Sequence, residues 1–97
     1  MADYLIFEID ITDPAWGPEY GEKVGPLVAK HGGKVIVRST DPIRVEGKRG
    51  PPTVVVVLEF PTRAAAQAWH SDPEYKPLID LRNTGSSAEA LLVDGVS

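Results

Sequence analysis

The chain has 97 residues, a formal net charge of −4 and no cysteine. This length suits one folding unit, and we expect a single domain over residues 1–97. Hydrophobic residues make up 42% and charged residues 25% of the sequence, which is ordinary for a globular protein. The acidic balance argues against a nucleic-acid partner, and the lack of cysteine excludes disulfides, thiolate nucleophiles and cysteine-ligated metals.

The apolar segments of the chain predict a cytoplasmic protein with no membrane partner. The apolar run near the N-terminus contains the carboxylates of Asp3, Glu8 and Asp10 and follows no basic region, so it lacks the pattern of a signal peptide. The longest continuous apolar run is VVVVL at 54–58. This run is far shorter than the roughly 20 residues that a membrane-spanning helix requires.

The first half of the chain predicts a strand, a helix and a second strand. Residues 3–11 alternate between two faces, one of which is wholly apolar. The pair Asp13-Pro14 is a helix start, and apolar side chains then recur at three- and four-residue spacing over 16–31. Gly32 and Gly33 end this helix, because glycine adopts the left-handed cap at little cost. The second strand is predicted over 34–40.

The second half predicts a strand, a broken helix and a last strand. Residues 53–60 read TVVVVLEF, a strand that is apolar on both faces. Thr62 is the expected cap of an alanine-rich helix, which breaks at Asp72-Pro73 and restarts there. Residues 90–95 form the last strand. The order is β-α-β-β-α-β, which predicts an α+β, ferredoxin-like domain with an antiparallel sheet and helices on one face.

The apolar character of the third strand predicts a homodimer. In a ferredoxin-like sheet the first and third strands are central, and the helices cover only one face of them. The other face would expose Val55 and Val57 beside Ile6 and Ile36, an apolar patch that a second copy can cover, sheet against sheet. The alternative is that these residues only reflect β-propensity and are sparsely exposed.

Three stretches of the sequence carry a shared pattern: HGGKVIVRS at 31–39, EGKRGPPTVVVVLEFPTRAAAQAWHSDPEYKPLIDLR at 46–82, and LLVDG at 91–95. In these stretches the chain resembles the domain of unknown function 1330 family, whose members belong to the dimeric α/β-barrel superfamily. The resemblance implies this fold and a dimer. Wider relatives include cofactor-free monooxygenases, isomerases and haem-degrading enzymes that work in a cleft between sheet and helices, so it also implies a small-molecule cleft.

The same resemblance singles out six polar and aromatic positions that match the family's recurrent ones: His31, Arg38, Glu46, Trp69, Tyr75 and Arg82. The chain departs from the family at KRGPP, where relatives often carry an aromatic residue after the Glu-Gly pair. That difference falls at the expected mouth of the cleft.

Arg38 is the charged residue of an otherwise apolar strand, in which alternation places Val35 and Val37 on the face opposite Ile36 and Arg38. A buried guanidinium requires an anionic partner. The partner is either Glu46, in a structural ion pair, or a small anionic ligand that Arg38 and Arg82 hold in the cleft.

The histidines offer the sequence's only side chains that titrate near neutral pH. His31 lies at the end of the first helix, where the helix dipole favours an imidazolium without any function, but it is also the best candidate for a catalytic general base. His70 follows Trp69 and is expected at the surface. Two histidines without partners at ligand spacing predict no metal site, and we expect no cofactor, although an axial haem ligand is an alternative.

Trp69 and Tyr75 are large rings near the helix break. Core packing is the default interpretation for Trp69, and both rings could also form cleft walls. Tyr75 and Arg82 are about two helical turns apart and are expected on one face, opposite Arg38. Taken with these residues, the resemblance implies a cofactor-free isomerase or oxygenase that acts on a small acidic or aromatic compound. The alternatives are a non-catalytic metabolite-binding dimer and a purely structural role for these polar residues.

Overall fold

The computed structural model describes residues 2–96, and its elements follow the predicted order. The strands are β1 (Asp3–Ile11), β2 (Lys34–Ser39), β3 (Val54–Phe60) and β4 (Ser86–Asp94), and the helices are α1 (Gly17–Lys30), α2 (Arg63–His70) and α3 (Lys76–Arg82). A short 3₁₀ turn at Pro14–Trp16 leads into α1. The second helical region is thus broken in two, as predicted.

The four strands form one antiparallel sheet in the order β2-β3-β1-β4. β1 and β3 are central, and the connections give the ferredoxin-like topology that the sequence predicts. The sheet of one chain is open, with β2 and β4 as its edges, so a single chain does not close a barrel. Within residues 2–96, no helix is long and apolar enough to span a membrane.

The hydrophobic core lies between the helices and one face of the sheet. Alternation along β1 buries Leu5, Phe7 and Ile9 on this face, and β3 contributes Leu58 and Phe60. The helices complete the core with a further set of buried side chains: Leu27, Val28, Ala66, Trp69, Tyr75 and Leu78. At ~25 cal/mol per Å² of buried apolar surface, these large side chains provide the main drive for folding.

Polar side chains begin the helical segments where the sequence predicts. The Thr62 hydroxyl accepts a hydrogen bond from the Ala65 backbone N–H at 3.1 Å, which caps α2. The Asp13 carboxylate accepts from the Ala15 N–H at 3.0 Å ahead of α1. α1 ends in a Schellman motif, because the N–H groups of Gly32 and Gly33 donate to carbonyls of the last turn and Gly32 has a φ of 78°.

The register of β2 differs from strict alternation. Val35 pairs with Leu58 and Val37 pairs with Val57, so Ile36 is an extra residue in a β-bulge. The bulge turns Val35 and Arg38 to the helix side of the sheet and Val37 to the open side. The prediction that Val35 and Val37 lie on the same face of the sheet is therefore wrong, because the extra residue of the bulge shifts the alternation by one position.

The open face of the sheet carries a continuous apolar row across all four strands. Ile6 of β1 pairs with Val57 on one side and with Leu91 on the other, and Val57 pairs with Val37. Val37 is 40% exposed and Leu91 is 64% exposed, so much of this row faces solvent in one chain. An apolar row of this kind marks an interaction surface.

Gly33 is required by the contact between the end of α1 and the sheet. A Cβ atom at this position would lie 2.5 Å from the Phe60 ring, which is completely buried. A methyl group cannot be accommodated there unless Phe60 or the chain moves.

We expect Gly33→Ala to destabilise the protein by about 1–3 kcal/mol, the usual cost of overpacking a core. Gly21→Ala is the matched control, because a Cβ at Gly21 meets nothing within 4 Å and alanine is the better helix former. Urea unfolding followed by circular dichroism measures the free energy of unfolding of both variants. Equal stability of the two variants would contradict the packing described for Phe60.

Candidate functional site

A cleft of about 500 Å³ opens between α1 and the helix-side face of the sheet. Most of its lining is aliphatic and aromatic, from β1, β3 and α1. Among its described lining residues, Tyr20, Arg38 and Thr40 carry polar groups that can orient a ligand, and Trp16 and Trp69 contribute indole rings. The glycines of α1 that border it, Gly17, Gly21 and Gly25, have no side chain to fill it. The cleft is therefore apolar with a few polar groups, the usual character of a small-molecule site.

Arg38 borders this cleft because the β2 bulge turns it to the helix side. Its side chain is exposed, and it forms no hydrogen bond or ion pair with any residue of the 2–96 range. Glu46 lies exposed in the loop before β3 and does not line the cleft, so the Arg38–Glu46 ion pair considered from the sequence is not formed. The loop contacts the sheet elsewhere, where Arg44 lies 3.8 Å from Glu8 and the Thr53 hydroxyl accepts from the Ile11 backbone N–H at 3.0 Å.

The two tryptophans of the chain both line the cleft and are both buried. Trp69 is 1% exposed and packs on Tyr75 with ring centroids 4.2 Å apart, in keeping with its default role in the core. Trp16 packs edge-on against Tyr20 at 5.2 Å. Neither indole N–H has an acceptor among the described residues. Both indole nitrogens are themselves buried, so it is the rings of these tryptophans that form cleft wall.

Tyr75 and Arg82 meet as the sequence predicts, but they lie behind the cleft wall. An Arg82 guanidinium N–H donates to the Tyr75 hydroxyl oxygen at 2.9 Å and to the Tyr20 hydroxyl oxygen at 3.4 Å. The two hydroxyl oxygens are 3.0 Å apart. Tyr75 and Arg82 do not line the cleft, so the structure does not bring them to one surface with Arg38. Tyr20, which the sequence places only on an apolar helix stripe, stands between them and the cleft.

The Arg82 guanidinium is buried without a carboxylate. Its residue is 6% exposed, and no Asp or Glu of residues 2–96 forms an ion pair with it. The charge is instead surrounded by the two tyrosine hydroxyls and by ring faces, with the Phe7 and Tyr20 centroids 5.7 Å and 6.0 Å away. Burial raises the pKa of Tyr75 far above its ordinary value, and the neighbouring Tyr20 adds a smaller increase. Arg82 opposes this shift. Tyr75 is thus a neutral phenol at any ordinary pH.

His31 lies at the end of α1 and outside the cleft lining. Its Nε2 donates to the Asp72 carboxylate at 2.8 Å, and Lys30 donates to the same oxygen at 3.1 Å. The other Asp72 oxygen accepts from the Glu74 backbone N–H at 2.9 Å. This cluster ties α1 to the break between α2 and α3. It favours the structural alternative for His31, whose role as a general base stays a prediction.

His70 and the acidic side chains were also considered as possible metal ligands. His70 is exposed on α2, with its ring edge-on to Trp69 and to Tyr75. Over residues 2–96, no group of three or more His, Asp or Glu side chains is arranged to hold a metal ion.

A family model for Domain of unknown function (DUF1330) matches residues 2–96, and the chain belongs to this family. No curated protein matches the sequence. This match confirms the family resemblance that the three sequence stretches predicted.

Solved structures share this fold at low sequence identity. The chain is similar to RPA0582, a protein of unknown function from Rhodopseudomonas palustris, with 18% identity and a TM-score of 0.81 over 99% of this chain and 83% of that one. It is similar to a dimeric ferredoxin-like protein of unknown function from Jannaschia sp. CCS1, with 10% identity and a TM-score of 0.75 over 98% of this chain and 100% of that one. It is also similar to SnoaB, a cofactor-independent oxygenase from Streptomyces nogalater, with 12% identity and a TM-score of 0.71 over 99% and 94%.

The Asp72 cluster predicts a specific acid dependence of stability. The His31 hydrogen bond, the Glu74 N–H and Lys30 lower the pKa of Asp72 from 3.8 to about 2. Because the folded pKa is depressed, the stability that this carboxylate contributes is fully present above its unfolded pKa. It is lost as pH falls from about 4 to about 2.

We therefore expect Asp72→Asn to be less stable than the parent at neutral pH, and the difference to shrink across that acid window. Asp80→Asn is the control, because Asp80 only forms an exposed pair with Lys76 on α3. Urea unfolding at a series of pH values measures both variants. A difference between parent and Asp72→Asn that stays constant down to pH 2 would contradict the assignment of the shift to Asp72.

Proposed function

We propose that this member of the DUF1330 family is a homodimer that binds a small aromatic compound carrying an anionic oxygen, in the cleft between α1 and the sheet. The observation that carries the proposal is the combination of an apolar, aromatic-walled cleft with one unpaired arginine at its border. The volume of about 500 Å³ lies within the ~300–1,000 Å³ typical of small-molecule sites.

The walls of the cleft favour a flat ring system. Phe7, Trp16 and Tyr20 provide aromatic surface, and aliphatic side chains of β3 and α1 provide the rest. Aromatic rings gain stacking or edge contacts beyond the simple burial of their area.

Arg38 favours an anionic group on that compound. The guanidinium has five donors in a fork that matches a carboxylate, and here none of them is used by residues 2–96. Among residues 2–96, no Asp, Glu or His side chain lines the cleft. An anion bound there would therefore meet a cationic group without a competing carboxylate.

Cofactor-independent oxygenation is the second candidate, and the fold shared with the oxygenase SnoaB supports it. A phenolate that carries an activated methylene could supply the electrons itself. One oxygen atom of dioxygen would then form a carbonyl at that carbon, and the second would leave as water with the two hydrogens of the methylene. Oxygen uptake in the presence of a bound phenol separates this candidate from binding alone. His31 takes no part in either candidate, because it lies outside the cleft.

The homodimer is proposed through the open face of the sheet. The apolar row formed by Val37, Val57, Ile6 and Leu91 crosses all four strands, so it is wide enough for a second sheet to pack against it. The same patch can meet its own copy about a two-fold axis. The similar fold of the dimeric protein from Jannaschia sp. CCS1 supports this arrangement.

For the cleft, we expect naphthoate to raise the melting temperature, because a ligand at 100 times its dissociation constant stabilises the folded state by ~2.7 kcal/mol. For a domain of this size the rise should be roughly 10 °C or more. Naphthamide, which has the same rings but no charge, should bind more weakly. Thermal-shift titrations of both compounds measure the difference.

Arg38→Gln should reduce naphthoate affinity about ten-fold, the loss typical of one charge-assisted hydrogen bond, and should leave naphthamide unchanged. Arg49→Gln is the matched control, because Arg49 lies on the loop outside this cleft. If neither compound shifts the melting temperature of the parent, the cleft is not an aromatic-ligand site. If Arg38→Gln and Arg49→Gln behave alike, Arg38 is not the anion-binding group.

For the dimer, we expect Leu91→Asp to give monomers, because it would bury a carboxylate in the apolar row at the interface. Ala64→Asp on α2 is the control, since Ala64 is exposed on the helix layer. Light scattering after size exclusion measures the mass of each variant. A parent protein that is monomeric at micromolar concentration would contradict the proposed interface.

A further inference from the structure

The hydroxyl protons of Tyr20 and Tyr75 can be assigned from the partners that each oxygen has. The Tyr75 oxygen accepts a hydrogen bond from Arg82 at 2.9 Å, and the remaining polar atom within its reach is the Tyr20 oxygen at 3.0 Å. Tyr75 is 0% exposed, so its proton has no access to solvent. The two tyrosines share one hydrogen bond, and either oxygen could in principle be the donor.

Burial decides which tyrosine donates. If Tyr20 donated to Tyr75, the Tyr75 proton would be left without an acceptor in the core, and an unmade hydrogen bond of a buried group is costly. If Tyr75 donates to Tyr20, the fully buried Tyr75 proton has an acceptor, and only the proton of the partly buried Tyr20 is left free. The raised pKa of Tyr75, caused first by burial, agrees with a phenol that keeps its proton. Tyr75 is therefore the donor and Tyr20 the acceptor.

This assignment leaves the Tyr20 proton directed away from the buried pair. The Tyr20 oxygen already accepts from Tyr75 at 3.0 Å and, over a longer distance of 3.4 Å, from Arg82. Tyr20 is the one member of the three that lines the cleft, and it is only partly buried. A hydroxyl that accepts two hydrogen bonds, one of them from a cation, is a stronger donor through its own proton.

We propose that the Tyr20 hydroxyl donates to the oxygen of a phenol or enol in the cleft and that it binds this ligand in its ionised form. The inference rests on the proposed function and narrows it from aromatic anions to compounds with an acidic hydroxyl. The charged and titratable groups around the bound oxygen are Tyr20 and Arg38 in the lining, with Tyr75 and Arg82 behind Tyr20.

The electrostatics of this set favour a negative ligand oxygen. The Arg82 charge lacks a carboxylate partner within residues 2–96, and it contacts two residues that line the cleft, Tyr20 and Phe7. No carboxylate of the described chain lines the cleft to oppose the ligand's charge. A phenolate there would gain a hydrogen bond from Tyr20 and the field of a guanidinium in a site of low dielectric constant. The neutral phenol would gain much less.

A nitronaphthol tests the inference, because its ionised form absorbs visible light that the protein does not absorb. We expect the ionisation midpoint of the bound nitronaphthol to lie about one pH unit or more below that of the free compound. This shift corresponds to roughly ten-fold tighter binding of the ionised form. Tyr20→Phe should still bind the compound but should remove most of the shift. Tyr4→Phe, which removes a tyrosine hydroxyl from the open face of the sheet, should leave the shift intact.

Tyr75→Phe provides a second variant that leaves the cleft wall unaltered. It removes the hydrogen bond donated to Tyr20 and should reduce the shift without abolishing binding. A shift of full size in both Tyr20→Phe and Tyr75→Phe would overturn the inference and leave the binding proposal standing. If neither the nitronaphthol nor naphthoate binds the parent protein, the proposed function fails, and this inference fails with it.

Discussion

The architecture of the site depends on one buried charge, the guanidinium of Arg82. An uncompensated charge in a protein interior is expensive, and here no carboxylate of residues 2–96 neutralises it. Two tyrosine hydroxyls and the faces of Phe7 and Tyr20 supply the polar and π contacts instead. Because Tyr20 comes from α1 and Tyr75 precedes α3, this array fixes the two helices relative to each other. It also fixes the position of the cleft wall that Tyr20 forms.

The fold was predictable because each element has a strong local signal. The alternation of β1, the apolar run of β3 and the capping residue Thr62 predicted the element order and the two central strands correctly. The helix break was predictable from Asp72-Pro73. The bulge in β2 was not, because VIV reads as regular alternation and only the pairing with β3 shows that Ile36 is the extra residue. The bulge matters for the site, since it is what turns Arg38 toward the cleft.

The candidate site was less predictable, because its key contacts join distant parts of the chain. His31 and Asp72 were each recognisable as helix-terminal residues, but their hydrogen bond links positions 41 residues apart. The Tyr20 hydroxyl meets that of Tyr75 across 55 residues, and nothing in the helix stripe distinguishes Tyr20 from a core ring. Glu46 was a reasonable partner for Arg38 by proximity in sequence. The loop instead directs Arg44 to Glu8, which leaves the Arg38 guanidinium unpaired within the described chain.

The most direct test of the central claim uses the two indole N–H groups of the chain. The sequence contains two tryptophans, and both side chains line the cleft. In a proton–nitrogen correlation spectrum each gives one resolved side-chain signal. Titration with naphthoate should shift both signals together with the backbone signals of α1 that border the cleft. Binding that leaves both indole signals unchanged would place the ligand elsewhere and would contradict the account.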